Sequence, residues 1–231
     1  MQIAIIMAAG MGTRMRPVTE TIPKPLVKVQ GTPMVETVID GLRSRQIDEI
    51  YVVTGYLGEQ FSCLTSKYDN VYVIRNAEYE TVNNISSIYA AREVLDKEAD
   101  FFICEADLYV EDETIFDKTL THSCYFGKMI PGFSEDWVFE QNSEGRIIRV
   151  GKGGTDCYNM VGVSYFNSHD AKILKEEIEK AYEVPGFETL FWDDVVNRNL
   201  DKLDLIVEPV EEGQIIEIDT VEELERINKS R

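Results

Sequence analysis

The opening of this chain constrains it more than any other stretch. An apolar run, Ile3 to Met7, gives way to Ala8, Ala9 and Gly10, then to Met11-Gly12-Thr13-Arg14-Met15-Arg16-Pro17. Such a run, closed by small residues, reads as a buried strand ending in a turn. Gly10 and Gly12, one residue apart, let the backbone take positive φ and approach a bulky group closely. Successive backbone N–H groups in a loop of this kind can form a concave anion site. Arg14, Arg16, Lys24 and Lys28 follow, and Glu20 is the only acid among them. The stretch therefore predicts a cradle for a polyphosphate behind the first strand.

Two better-known phosphate loops do not fit. A dinucleotide fingerprint needs a third glycine opening a helix, where this chain has Arg14 to Pro17. A Walker loop needs Gly-Lys-Ser/Thr, which the sequence lacks. The net charge of −19 argues against a nucleic-acid partner, since such proteins carry a basic face. It also sharpens the cradle argument: a chain this negative repels an anionic ligand on average and needs a local basic site to hold one. Cys63, Cys104, Cys124 and Cys157 form no C-x-x-C pair, and His122 and His169 stand alone, so no zinc site is expected. Free thiols suit a reducing cytoplasm. The first apolar run is too short and too uncharged at its start for a signal peptide, and nothing approaches a membrane span.

Strand and helix patterns alternate through the first half. Pro33 opens a helix carrying Val35, Val38, Ile39 and Leu42, and Glu49 to Thr54 reads as a strand. Glu59 to Lys67 reads as a helix and Val71 to Arg75 as a strand. A helix then follows Asn83-Asn84 through Ile88, Ala91 and Leu95, and Ala99 to Cys104 is a strand ending in Glu105-Ala106-Asp107. The second half offers strands at Ser123 to Ile130, Trp137 to Gln141, Arg146 to Val150 and Met160 to Phe166, with a turn at Gly151 to Gly154. Helices at Asp170 to Tyr182 and Leu190 to Arg198, strands at Leu203 to Val207 and Ile215 to Ile218, and a last helix capped by Thr220 and Glu223 complete it. The expected fold is α/β: a Rossmann-like, doubly wound, mostly parallel sheet with a smaller antiparallel lobe laid over it. The length suits one domain over residues 1–231, with halves over about 1–120 and about 121–231. Ligands of open α/β sheets sit at the carboxyl ends of strands, which singles out Asp107.

The combination Ala8-Ala9-Gly10-x-Gly12-Thr13-Arg14-x-x-Pro17, Pro23-Lys24-Pro25-Leu26 and Pro33 resembles the signature of nucleotidyltransferases, the sugar-nucleotide pyrophosphorylases and cytidylyltransferases. The resemblance implies attack by an acceptor phosphate oxygen on the α-phosphorus of a nucleoside triphosphate, with release of pyrophosphate. It assigns Arg14 and Lys24 to catalysis, and Ala8, Ala9, Gly10, Gly12, Thr13, Asn84 and Ser87 to the nucleotide. It makes Asp107 and Asp219 the ligands of Mg²⁺. All four charged residues are present, which argues against an inactive regulatory homologue. The chemistry needs alignment and charge neutralisation more than a proton acceptor.

Over nearly the whole chain the likeness is to bacterial choline-phosphate cytidylyltransferases, on Asn83-Asn84, Glu135-Asp136-Trp137, Phe191-Trp192-Asp193 and Glu217-Ile218-Asp219. This implies CTP and phosphocholine as substrates, with Glu135, Asp136, Trp137, Phe191, Trp192, Asp193 and Asp194 around the acceptor's headgroup. Aromatic faces suit a quaternary ammonium. The chain departs from those enzymes in having Phe191 in place of tyrosine and in its wealth of acids at Glu135, Asp136 and Asp194. A primary ammonium, which donates hydrogen bonds, suits that set. The similar 2-aminoethylphosphonate cytidylyltransferases are therefore the alternative, with phosphoethanolamine as a related acceptor. The protein is expected to act in the cytoplasm, without membrane insertion, as a monomer or dimer.

Overall fold

The computed structural model describes residues 1–229. In chain order the elements are β1 (Gln2–Ala8), β2 (Lys28–Val29), β3 (Thr32–Pro33), α1 (Met34–Ser44), β4 (Glu49–Thr54), α2 (Ser62–Lys67), β5 (Val71–Arg75), α3 (Ile85–Ala90), β6 (Asp100–Glu105) and β7 (Leu108–Val110). They continue with β8 (Ser123–Gln141), β9 (Ile147–Phe166), α4 (Ser168–Tyr182), α5 (Trp192–Arg198), β10 (Leu205–Pro209), β11 (Ile215–Glu217) and α6 (Val221–Lys229). Seven strands share one sheet in the order β10-β8-β9-β6-β1-β4-β5.

β1 lies inside that sheet, parallel to β4 on one side and to β6 on the other. Its side chains alternate between two cores, as a strand's period of two requires. Ala4, Ile6 and Ala8 pack with Val35, Val38, Ile39 and Leu42 of α1. Ile3 and Ile5 join Ile88 of α3 and Leu174 of α4 on the opposite face. Each fully buried isoleucine of this kind contributes about 1.5–3 kcal/mol. A one-residue slip would exchange the two faces, so register and carboxyl-end position are fixed together. A third, smaller core joins Met15, Val27, Val29 and Met34 to Ile218 and Leu224. It ties the basic loop after β1 to the chain's last helix.

The α/β class and the mostly parallel sheet agree with the sequence reading. The antiparallel part of the second half is continuous with the main sheet. β9 pairs antiparallel with β6 and with β8, and β10 adds parallel to β8, so all three belong to the main sheet. The four short strands expected there are segments of two long ones, β8 and β9. Gly151 to Gly154 lie inside β9, not in a turn, because pairing continues past them through several register shifts. Such shifts bend a ribbon without ending it. Residues 128–141 and 147–159 therefore pair with each other as a long antiparallel ribbon. α3 stops at Ala90, short of the expected Leu95, although Val94 and Leu95 are still buried. There the apolar spacing reflects burial of hydrogen-bonded turns and not a continued helix. The helix expected over Glu59 to Lys67 begins as a 3₁₀ turn, Gly58–Phe61, before α2. No helix among the described residues is long and apolar enough to cross a membrane.

Candidate active site

The glycine loop leaves β1 and turns back through a short 3₁₀ segment, Thr13–Met15. Gly12 adopts φ +58°, and a methyl group there would stand 2.8 Å from Lys24 Cβ. Glycine is thus required twice over, for conformation and for the close approach of the lysine. The Thr19 hydroxyl donates to the Gly12 carbonyl at 2.8 Å and closes the loop. Lys24, only 7% exposed, extends into the space so framed. Its ammonium donates to Asp107 Oδ2 at 2.6 Å and to Asp219 Oδ1 at 2.7 Å. Arg14 Nη2 reaches the same Asp219 oxygen at 2.7 Å. Residues distant in sequence, assigned above to catalysis and metal binding, thus meet at one point. Burial pulls the Lys24 ammonium down, but the two carboxylates outweigh it and hold its pKa above the ordinary lysine value.

The acids are positioned by backbone. β7 and β11 form a two-stranded antiparallel sheet that pairs Leu108 with Glu217. The Ile218 amide donates to the Asp107 carbonyl at 3.1 Å. A capping box at the start of α6 fixes the next residues: Thr220 Oγ1 accepts from the Glu223 amide, and Glu223 Oε2 accepts from the Thr220 and Asp219 amides. Burial pushes the Asp219 carboxyl up, yet Lys24 and Arg14 together hold it below the usual carboxylate range.

Two further acids complete the cluster. Glu105, at the end of β6, and Glu217, at the end of β11, bring carboxylate oxygens within 4.8 Å of one another and of Asp107. Gly162 faces them with φ +76°, and a methyl group there would meet Glu105 Oε2 at 3.0 Å. Desolvation and the neighbouring Asp107 and Glu217 charges push Glu105 well above its ordinary value. Desolvation, Asp107 and Asp219 likewise push Glu217 up to about 8. A trio of hard oxygen donors under mutual repulsion fits a divalent cation such as Mg²⁺. Sequence reasoning read these acids only as neighbours of Asp107 and Asp219. The repeated Glu-x-Asp spacing was the available signal.

A cleft of about 640 Å³ opens above this cluster, with a smaller one of about 230 Å³ beside it over the glycine loop. Ala9, Gly10, Arg14, Asn84, Ser87, Asp107 and Asp219 line the larger cleft, and Ala8, Gly12, Thr13 and Lys24 line the smaller. Asn76, absent from the sequence reading, also lines the larger one. Its Nδ2 donates to Ser86 Oγ at 2.8 Å, and only 2% of the residue is exposed. It directly follows β5, so the strand-end rule that selected Asp107 would have found it. Asn84 Oδ1 accepts from the Trp192 amide at 3.0 Å, which joins this part of the cleft to the start of α5.

Glu135, Asp136, Trp137 and Phe191 line the opposite part of the cleft. Trp137 and Phe191 meet edge to face with ring centroids 5.3 Å apart. The other expected headgroup residues do not line it. Trp192 is 3% exposed and packs against Tyr125 and Phe166. A position at the first turn of α5 turns its ring into the core. Asp193 is equally buried and accepts from the Tyr125 hydroxyl at 3.0 Å. Burial pushes its carboxyl up to about 7. Asp194 accepts from the Phe191 amide at 2.9 Å and so caps the helix.

The site thus joins a glycine loop, a buried lysine among carboxylates, and a cleft with an aromatic, acidic far wall. The model of the MobA-like NTP transferase domain matches residues 4–130, from β1 past Asp107 into β8. This chain belongs to the MobA-like NTP transferase family. Within that family it is 54% identical over 221 residues to the 2-aminoethylphosphonate cytidylyltransferase of Lancefieldella rimae, spanning 96% of this chain and 89% of that one. It is 34% identical over 226 residues to the choline-phosphate cytidylyltransferase of Streptococcus pneumoniae, spanning 98% and 96%. A solved structure of the CTP:phosphocholine cytidylyltransferase from Streptococcus pneumoniae superposes with a TM-score of 0.89 at 33% identity, covering 98% of this chain and 97% of the other. With likeness of this extent, this MobA-like NTP transferase is a nucleotidyltransferase of the cytidylyltransferase kind, as its motifs implied.

Proposed function

We propose that the protein transfers CMP from CTP to 2-aminoethylphosphonate and releases pyrophosphate. The observation that carries the acceptor is the makeup of the cleft's far wall. It presents two aromatic rings, Trp137 and Phe191, beside the carboxylates of Glu135 and Asp136. With Trp192 in the core, the wall is poorer in aromatics than the phosphocholine reading required. A primary ammonium uses both parts, donating to carboxylates while its carbon chain lies on the rings. The 54% identity to a 2-aminoethylphosphonate cytidylyltransferase supports the same acceptor over phosphocholine.

The reaction follows from the residues below that wall. The loop from Ala8 to Thr13 receives the nucleotide's phosphates through its amides. Arg14 and Lys24 hold the charge of the polyphosphate. An oxygen of the acceptor's phosphonate, already anionic at neutral pH, forms a bond to the α-phosphorus. The bond from that phosphorus to the bridging oxygen breaks, and pyrophosphate leaves with the electron pair. Glu105, Asp107, Glu217 and Asp219 would hold Mg²⁺, which neutralises phosphate charge and polarises the phosphoryl group when bound. Asn76 and Ser87 brace the nucleoside end of the cleft.

Substitution of the wall tests the assignment. Asp136→Asn and Glu135→Gln, singly and together, should raise KM for 2-aminoethylphosphonate by about 10–100-fold, the value of a lost charge-assisted hydrogen bond. KM for CTP should stay as in the wild type. Unchanged acceptor KM in the double variant would remove the carboxylates from the headgroup site.

A further inference from the structure

Lys152 is a cleft residue that neither its sequence setting nor the transfer reaction explains. It sits in the first part of β9, directly across from Trp137 in the ladder with β8. Its ammonium lies 6.0 Å from the Trp137 ring centroid and 5.6 Å from that of Phe191. It lines the same cleft as Glu135 and Asp136. Among the described residues it forms no ion pair, while most other lysines here do. Its side chain is exposed, so solvent and rotamer freedom allow it to swing away.

From this arrangement we propose that Lys152 is a resident cation of the headgroup site, which the acceptor's ammonium displaces on binding. The inference rests on the headgroup placement argued above and deepens it. Two rings set edge to face, with carboxylates at their margin, form a site for one cation. A second positive charge a few ångströms away is repelled in a partly desolvated cleft. The lysine contact is also weak: both distances approach the outer limit, roughly 6 Å, of a favourable cation–π contact. A weak internal occupant keeps the aromatic wall neutralised and ordered when the site is free, and gives way to an ammonium that also donates to Glu135 and Asp136. Acceptor affinity is then set by the difference between two cations at one place, which makes Lys152 a specificity-determining residue.

The test measures acceptor KM and CTP KM for Lys152→Met, Lys152→Ala and Lys152→Arg in the full-length enzyme. Removing the resident cation should lower KM for 2-aminoethylphosphonate by about threefold to tenfold in the Met and Ala variants, a change within the range of one exposed cation–π contact plus lost repulsion. Lys152→Arg keeps the charge and should keep the wild-type value. CTP KM should not move in any of the three. A raised acceptor KM in Lys152→Met would mean that the lysine binds the acceptor's phosphonate, and would overturn the proposal, as would an unchanged one. Trp137→Ala separates this from the underlying placement. If it raises acceptor KM while Lys152→Met does not lower it, displacement alone fails; if it leaves acceptor KM unchanged, the headgroup site itself is elsewhere.

Discussion

Lys24 is the residue on which the site converges. Its ammonium, from the start of the chain, joins Asp107 from the middle and Asp219 from near the end. Negative charge grows on the departing pyrophosphate as the α-phosphorus transfers, so a fixed cation contributes more in the transition state than in the ground state. Lys24→Ala should lower kcat by about 10²–10³-fold, the typical loss for an electrostatic stabiliser. Steady-state kinetics showing a higher KM for CTP at unchanged kcat would mean uniform binding instead. Asp193 makes a prediction of another kind. Its carboxyl stands at about 7 in the folded chain, against 3.8 ordinarily, because burial outweighs the hydrogen bonds it accepts, that of the Tyr125 hydroxyl first among them. The folded state therefore holds this proton more tightly than the unfolded one. The stabilisation is complete below about pH 4, declines as pH rises towards 7, and is absent above. Asp193→Asn carries no such proton, so in urea titrations its stability relative to wild type should increase from pH 4.5 to 7.5, by an amount on the order of 3 kcal/mol. A pH-independent difference between the two proteins would contradict the burial argument. Asp193 also shows what sequence alone conceals. Its neighbourhood of aromatics and acids marked a headgroup site, but helical phase within a single turn decides which side chains reach the cleft. Phe191 does, and Trp192 and Asp193 do not.

At the scale of elements, the loop between β1 and β2 separates the folding role of glycine from its ligand role. Gly12 is left-handed and pressed against Lys24, whereas a methyl group at Gly10 would meet nothing within 4 Å. Gly12→Ala should lower the melting temperature by several degrees, since left-handed strain of about 1–2 kcal/mol converts to that shift in a chain of this size. Gly10→Ala should melt like the wild type but bind CTP more weakly, because Gly10 lines both clefts. Equal melting temperatures for the two variants, read by calorimetry, would sink the distinction. This loop was legible in the sequence because glycine spacing, charge and strand end coincide within a few residues. The parallel strands β1, β4 and β5 were legible for a similar reason: each is a short apolar run between turn signals. β8 and β9 were not, because bulges and glycines interrupt a long strand's pattern as turns do. Lys152 was hidden by the same feature, since its place opposite Trp137 depends on a register that the shifts redefine.

On the scale of the whole molecule, a chain of net charge −19 sets Arg14 and Lys24 among the carboxylates of the candidate metal site, and lines the same cleft with Trp137, Phe191, Glu135 and Asp136. Under the proposed function, this division would place the acceptor's phosphonate at the metal site and its ammonium at the far wall. The sequence exposed both ends of this division, through the basic loop and the Glu135-Asp136-Trp137 cluster. It left their relative placement to β8 and β9, whose shifted register sets where Trp137 and Lys152 stand. The most direct measurement is initial-rate pyrophosphate release by the wild-type enzyme with Mg²⁺. CTP, UTP, dTTP and ATP would each be paired with 2-aminoethylphosphonate, phosphocholine and glucose 1-phosphate. The highest kcat/KM should belong to CTP with 2-aminoethylphosphonate, with phosphocholine slower and glucose 1-phosphate inactive. A higher kcat/KM for CTP with phosphocholine, or for any sugar phosphate, would contradict the assignment of the acceptor.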